Sequence, residues 1–515
     1  MVLLHQNKNH GIAIGKRFIM KTTLQLTIDD TRLRWLLLVS LFLQIIFCIT
    51  QVGFLHPDQH FQLIEFSSWQ LGEPSGATSV WELKSHIRPT LQVYLFSGFI
   101  KLCRLVAIND AYTQLIILRL IFGLIGFVVF NAIGLYYFKF NRKLLFWVLL
   151  LLNLSWPLPY IRTLFSSELA SSITFFGAIL VYELKKEKTF YILATGFLFS
   201  LAFYFRFQIA FGIVGFGVWL LFVEKSYIRL LPLAIGFLAG VGLNVFLDDQ
   251  FYHQFVFTPY DYYRVNITEG KAAEFGTASF WWYILMLMLV VGAPPLSIVL
   301  FYYSLKGSIK NYRQPIVWAV LFFVVGHSLV AHKEERFMFP ILTIMPVIAG
   351  WGLQSFIDYY QRAGKGIRRL LNSVIYFSIG LNVLVLALFL ILNPYYQAIE
   401  FTRKLVNKFS NSTPTIYCLS RSPFETESGL PLTFYRRSAS NIKLVKFHEA
   451  DSARFLNNAW LVTTFNDAKK DLPLLDSLGF KPQLYSSEIL WNVNTFLLSK
   501  DANTINEIWV LYRRE

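Results

Sequence analysis

His332, Lys333, Glu334, Glu335 and Arg336 follow one another in the stretch HKEERF, with apolar sequence on both sides and no linker. Ionisable groups at a membrane boundary are costly unless they are solvated, paired or used. Two readings are open. The run is a short turn whose own glutamates pair with its Lys or Arg, or it is a cationic clamp. Arg presents a fork of donors matched to phosphate oxygens, Lys adds a point charge, and His adds a tunable donor. On the second reading His332, Lys333 and Arg336 would hold a phosphate, and a phosphate at a membrane boundary implies a lipid-linked one.

A second group lies in FLHPDQHFQLIEFSSWQLG (54–72). Asp58 comes just after the first apolar segment, behind Pro57, which stops a helix. Glu65 follows seven residues later, about two α-helical turns, so the two carboxylates would share a face. Asp58 could instead cap the helix that follows. His56, Asp58 and His60 alternate in a way that would suit a metal only in a strand, and no further ligand cluster accompanies them. Glu82 and Arg88 lie in VWELKSHIRPT (80–90), and Arg162 and Glu168 in PYIRTLFSSE (159–168). The stretch 248–279 is crowded with aromatic rings. These suit sugar faces and interfacial lipid, and they also mark the ordinary aromatic belt of membrane proteins.

The elements that must position these groups are apolar. Of 515 residues 55% are hydrophobic and 15% charged, against about 25% charged in a soluble domain, and the mean hydropathy is +0.48. Stretches long enough to cross a bilayer as helices fall at 35–55, 112–138, 144–160, 168–183, 189–205, 208–223, 230–247, 280–303, 315–331, 338–356 and 370–393. These predict an all-α polytopic membrane protein of about 11 transmembrane helices. A twelfth segment, 90–107, is interrupted by Lys101 and Arg104. The net charge of +16 would suggest nucleic acid in a soluble protein. Here it reflects the Lys and Arg of cytoplasmic loops, and no nucleic-acid partner is expected. Cys48, Cys103 and Cys418 form no disulfide or zinc pattern.

From residue 139 onward, plain basic loops such as KFNRK (139–143) and ELKKEK (183–188) alternate with loops of mixed polar chemistry, FRF (205–207) and HKEERF among them. Basic loops belong in the cytoplasm, so the chemically loaded loops face the ER lumen or the bacterial periplasm. Residues 1–34, with Lys8, Lys16, Arg17, Lys21, Arg32 and Arg34, read as a basic cytoplasmic tail before an uncleaved first helix. A transmembrane catalytic domain is expected over 35–393. After it, short β-like runs at 415–420, 441–447, 459–465 and 507–512 predict a small soluble α/β domain over 394–515 on the non-cytoplasmic side.

The polar stretches together resemble glycosyltransferase family 22, the dolichyl-phosphate-mannose-dependent α-mannosyltransferases of the GT-C fold. HPDQHFQ is similar to the family's HPDE-x-[FWY]-Q, VWELKSHIRP to TWEW…RS, and RTLFSSELA to RT-x-SNS-x-E. FVFTPYDYYRVNITEGKAAEFGTASFWWY is similar to FTPYNFLKFN…YG-x-HPWHWY, and HKEERFMFP to HKE-x-RF-x-[FY]P. The motifs keep their order over about residues 50–345. Gln59 stands where the family usually has glutamate, and Leu83, Ser85, Phe165 and Ser167 are further departures.

The resemblance implies an inverting transfer of mannose from a dolichyl- or polyprenyl-phosphate donor to a lipid-linked glycan acceptor, such as a GPI precursor. A single displacement needs one general base and a site for the departing phosphate. By resemblance the base is Asp58, and Lys333 and Arg336, helped by His332, take the phosphate. His56, Glu65, Glu82, Arg88, Arg162 and Glu168 are candidate substrate-binding residues. No divalent metal or other cofactor is demanded. The membrane would be that of the endoplasmic reticulum in a eukaryote, or the inner membrane in a bacterium. A bacterial GT-C enzyme using another polyprenyl-phosphate sugar, and a polytopic lipid or glycan transporter, are the alternatives.

Overall fold

The computed structural model describes residues 30–391, 395–447, 459–500 and 508–514. Lys8, Lys16, Arg17 and Lys21 of the expected tail lie outside the described residues. The chain divides into two compact units: one holds the chain up to Cys48, Pro89–Leu91 and Arg119–Phe389, the other Ile49–Arg88, Gln92–Leu118 and Leu390–Glu515.

The first unit is helical. Among the described residues five helices are long and apolar enough to cross a membrane: Thr31–Thr50, Ala111–Phe138, Ser167–Lys185, Tyr227–Tyr252 and Lys365–Leu388. Glu335–Leu342 and Met345–Arg362, bent by 63°, make a sixth if they are one span. The expected count of eleven is therefore not reached on length and composition. Thr189–Phe205, Phe207–Phe222 and Pro315–Leu329 are apolar but shorter. The expected 144–160 segment is the 13-residue helix Arg142–Leu154, closed by Pro157 and Pro159. The expected 280–303 segment breaks into Trp282–Leu287 and Leu296–Lys310, with Pro294 and Pro295 between them, neither of which has an N–H to continue a helical ladder.

Small residues let these helices approach closely. A Cβ on Gly196 would collide with the carbonyl of Leu233, and one on Gly236 with that of Leu193. The helices Thr189–Phe205 and Leu230–Tyr252 therefore pack backbone against backbone, as small-residue helix pairs do in membranes. Ser166 starts the helix Ser167–Lys185 by accepting from the Leu169 N–H, an ordinary N-cap.

The second unit contains a five-stranded mixed sheet: β1 Thr415–Cys418, β2 Lys443–Lys446, β3 Trp460–Thr464, β4 Phe480–Tyr485 and β5 Trp509–Arg514, in the order β2-β1-β3-β5-β4. β1 runs parallel to β2 and β3, and β5 antiparallel to β3 and β4. The core strand β5 buries Trp509, Val510, Leu511 and Tyr512 in succession, as a strand covered on both faces must. Both edges are blunted. β2 begins and ends with lysine, and β4 carries Pro482 beside a register shift, features that discourage pairing with another chain. The segment expected around 90–107 is the 15-residue helix Leu91–Leu105, shorter than the roughly 20 residues that cross a bilayer.

Candidate functional site

The loop after the first long helix belongs to the second unit. His56 caps a short helix, Pro57–Gln59, by accepting from the Asp58 N–H at 3.2 Å. Asp58 does not fill the cap position. It sits at the second position of this helix, where a carboxylate is favoured by the helix dipole. Because His56 Nδ1 accepts that hydrogen bond, the neutral ring carries its proton on Nε2. Arg88 Nη2 lies 3.9 Å from Asp58 Oδ2 and 3.4 Å from Glu82 Oε1. Gln62 donates to the same Glu82 oxygen at 3.3 Å. Four expected residues, His56, Asp58, Glu82 and Arg88, therefore form one cluster, in which a guanidinium stands between two carboxylates. The Asp58 side chain stays 24% exposed.

Glu65 does not share that face. A π-helical turn, His60–Glu65, intervenes, and its wider winding breaks the two-turn spacing on which the expectation rested. The Glu65 side chain has no exposed surface. His60 Nε2 lies 3.0 Å from Oε1, and the N–H groups of Phe434 and Gly76 donate to Oε1 and Oε2, both at 2.9 Å. Ser75 donates at 3.2 Å and the Thr433 hydroxyl also donates. Burial by itself would raise the Glu65 carboxyl, but the hydrogen bond and charge of His60, with Thr433 and Phe434, outweigh it and hold the pKa below the usual carboxylate range. The His60 ring stacks between Phe54 and Tyr435 at 5.1 and 5.2 Å. Glu65 is thus a tie between the first loop and Thr433–Phe434. His60 is turned into this tie, and the helical backbone from 57 onward does not offer the strand spacing that a His56, Asp58 and His60 metal site would need.

HKEERF belongs to the first unit, and its own Glu334 pairs within it. Glu334 lies 3.0 Å from His332 Nε2 and accepts from Arg336 Nε. His332 Nδ1 is 2.8 Å from the Gly276 carbonyl, which leaves the ring held on both sides. The Glu334 N–H donates to the Tyr283 hydroxyl at 3.2 Å. Lys333 donates to the Val330 carbonyl, and burial holds its ammonium pKa below the usual value. Glu168, at the start of its helix, lies 3.4 Å from Arg206 Nη1 and within electrostatic reach of Arg336. The Arg206 guanidinium covers the Phe337 ring at 5.0 Å. His332, Arg336 and Glu168 are therefore brought into one network with Glu334 and Arg206, and Lys333 lies beside it, 5.9 Å from the Tyr283 ring.

Arg162 stands apart. It is 1% exposed, donating to Gln44 at 2.8 Å and to the Leu152 carbonyl at 2.9 Å. It ties helices together, as a buried guanidinium with several acceptors can. Sequence reasoning gave no role to Arg206, although FRF interrupts two apolar segments with a single cation, which was the available signal. It also passed over Asp248, which is buried and accepts from the Thr90 N–H at 2.8 Å and from the Thr90 and Thr258 hydroxyls at 2.7 and 2.6 Å.

The model of the Alg9-like mannosyltransferase family matches residues 35–422, a region that contains the Asp58 cluster and the HKEERF network but not Thr433 and Phe434. The chain belongs to the Alg9-like mannosyltransferase family. Among its relatives, human GPI alpha-1,2-mannosyltransferase 3 is 24% identical over 68% of this chain and 64% of its own length. Mannosyltransferase APTG1 of Arabidopsis thaliana is 24% identical over 58% of this chain and 54% of its own. The chain thus spans less than two thirds of these relatives. In fold, this Alg9-like chain is similar to the crystal structure of ArnT from Cupriavidus metallidurans bound to undecaprenyl phosphate, with a TM-score of 0.50, 12% identity, and coverage of 93% of this chain and 97% of that one.

Proposed function

We propose that this Alg9-like protein is an inverting α-mannosyltransferase that moves mannose from a dolichyl- or polyprenyl-phosphate donor to a lipid-linked glycan, on the non-cytoplasmic face of its membrane. The observation that carries the reading is the Asp58 cluster: a partly exposed carboxylate on a short helix capped by His56 and faced by Arg88. An accessible carboxylate is what a general base must offer the acceptor's hydroxyl.

In the reaction the acceptor hydroxyl oxygen attacks the anomeric carbon from the face opposite the phosphate. The new C–O bond forms as the sugar–phosphate bond breaks, Asp58 takes the hydroxyl proton, and the lipid phosphate departs with the bonding pair. Lys333 and Arg336, with His332, neutralise that phosphate. Cations fixed where charge develops are the largest contribution such a site makes. Glu334 positions His332 and Arg336 beforehand, so little reorganisation is needed. The names of the relatives support a GPI precursor as acceptor, and with it a membrane of the endoplasmic reticulum.

The test is transfer by the purified full chain. Dolichyl-phosphate mannose labelled in the sugar should pass its label to a lipid-linked GPI precursor in α linkage. Turnover only with a different polyprenyl-phosphate sugar would replace the mannose assignment, and turnover with no such donor would reject the reading.

A further inference from the structure

Within the first unit a cavity of about 610 Å³ lies among the helices Arg142–Leu154, Leu296–Lys310, Met345–Arg362 and Lys365–Leu388. Its wall is apolar, formed by Trp147, Leu151, Leu300, Leu353, Phe356 and Leu386. The size is that of a ligand site. The helix Lys365–Leu388 that closes it is hardly packed: among the described residues Ser378 is its one buried residue.

Polar groups occur only at the two ends. At one end Asn382 bridges the Leu154 carbonyl and the Trp156 N–H at 2.7 and 2.9 Å, and Ser378 accepts from the Leu296 N–H at 3.0 Å. These groups are satisfied by backbone and close that end. At the other end the Tyr360 hydroxyl meets Asn372 at 2.7 Å, and Arg368 donates to the Gln361 carbonyl at 2.8 Å. Asn372 and Asn382 stand about 15 Å apart along one helix. Lys143 is about 16 Å of helix from Leu154, which puts it at the Tyr360 end. Among the described residues it is the one charged residue lining the cavity; it is exposed and makes no ion pair there.

We infer that this groove binds one acyl chain of an anionic glycerophospholipid, whose headgroup phosphate is held by Lys143 and Arg368. An apolar trough with cations at one end and, among the described residues, no acidic residue in its lining is complementary to such a lipid. Half of a bilayer core is about 15 Å thick, which matches the distance between the two polar ends. The occupant is not the glycosyl donor's phosphate. Tyr360 and Gln361 stand near the C-terminal end of the helix Met345–Arg362, whose other end follows the turn that carries Arg336, so more than about 20 Å of helix separates the two anion positions.

The full chain, purified in mild detergent, is given phosphatidylglycerol, phosphatidylcholine or undecaprenyl phosphate, and retained lipid is counted by native mass spectrometry. One phosphatidylglycerol per chain should be retained in preference to phosphatidylcholine, by about fivefold or more, the size of one basic residue's attraction to an anionic surface. Lys143→Glu should abolish the preference, and Ile379→Trp, at a residue that also lines the cavity, should fill the trough and abolish retention of the bound lipid at an unchanged melting temperature. Equal retention of the two phospholipids, a preference that survives Lys143→Glu, or displacement of phosphatidylglycerol by undecaprenyl phosphate would each overturn the inference.

Discussion

His60 and Glu65 meet at 3.0 Å with neither side chain exposed, and the same carboxylate receives the N–H of Phe434 and the hydroxyl of Thr433. The loop that carries Asp58 is therefore fastened to a segment more than 360 residues later in the sequence. Glu65→Gln replaces an ionised acceptor with one that brings its own N–H into a site already full of donors. Breaking a buried pair from one side destabilises by about 3–5 kcal/mol. A clearly lowered unfolding temperature is expected, and the wild-type temperature would remove Glu65 from this role.

The same carboxylate sets a pH dependence. Its pKa in the folded protein lies below its unfolded value, near 4.5, so its stabilisation is complete above that value and is lost as pH falls through the folded pKa. Melting curves taken from about pH 6 to about pH 3 should show wild type losing stability more steeply than Glu65→Gln below about pH 4.5. Parallel curves would show that the carboxylate is not held in its ionised form.

Lys333 and Arg336 are expected to bind the donor's phosphate. Replacing either with Ala should weaken binding of a polyprenyl phosphate by about 1.5–3 kcal/mol, roughly one to two powers of ten. Titration of the two variants with polyprenyl phosphate measures this. Unchanged affinity in both would leave HKEERF as a turn stabilised by its own Glu334.

The Glu168–Arg206 pair, 3.4 Å apart and nearly buried, should behave as a unit. Glu168→Gln leaves a buried guanidinium without its counter-charge and should destabilise by about 3–5 kcal/mol, whereas Glu168→Gln with Arg206→Met should recover part of the loss. Additive losses in the double variant, read from thermal unfolding, would show that the two side chains are not coupled.

Much of this fold was legible because apolar length and periodicity are strong signals. Each expected segment overlaps helix among the described residues, yet length alone did not reveal where prolines divide it: 280–303 is two helices, and 144–160 ends early. β4 escaped notice because FKPQLY has the Lys and Pro of an edge strand and reads as a loop. The residue types of the two clusters were visible, but their local pairing was not. A seven-residue spacing implies one face only in an α-helix, and the π turn at His60–Glu65 removed Glu65 from the Asp58 face. The sequence left the loop's glutamates to pair with Lys333 or Arg336, and the geometry gives Glu334 both Arg336 and His332. The partners of Glu65, at Thr433 and Phe434, lie too far along the chain for any local pattern to suggest.

Asp58 as the general base is tested most directly by transfer kinetics of Asp58→Asn. His56, not Asp58, caps the short helix, and Asn keeps the shape of the side chain, so the variant should fold and bind polyprenyl phosphate as wild type does. With labelled dolichyl-phosphate mannose and a lipid-linked acceptor, its transfer rate should fall on the order of 100-fold or more, the size of a lost general base. A wild-type rate in Asp58→Asn would contradict the assignment, and would do so most sharply if a folded Glu65→Gln were inactive in the same assay.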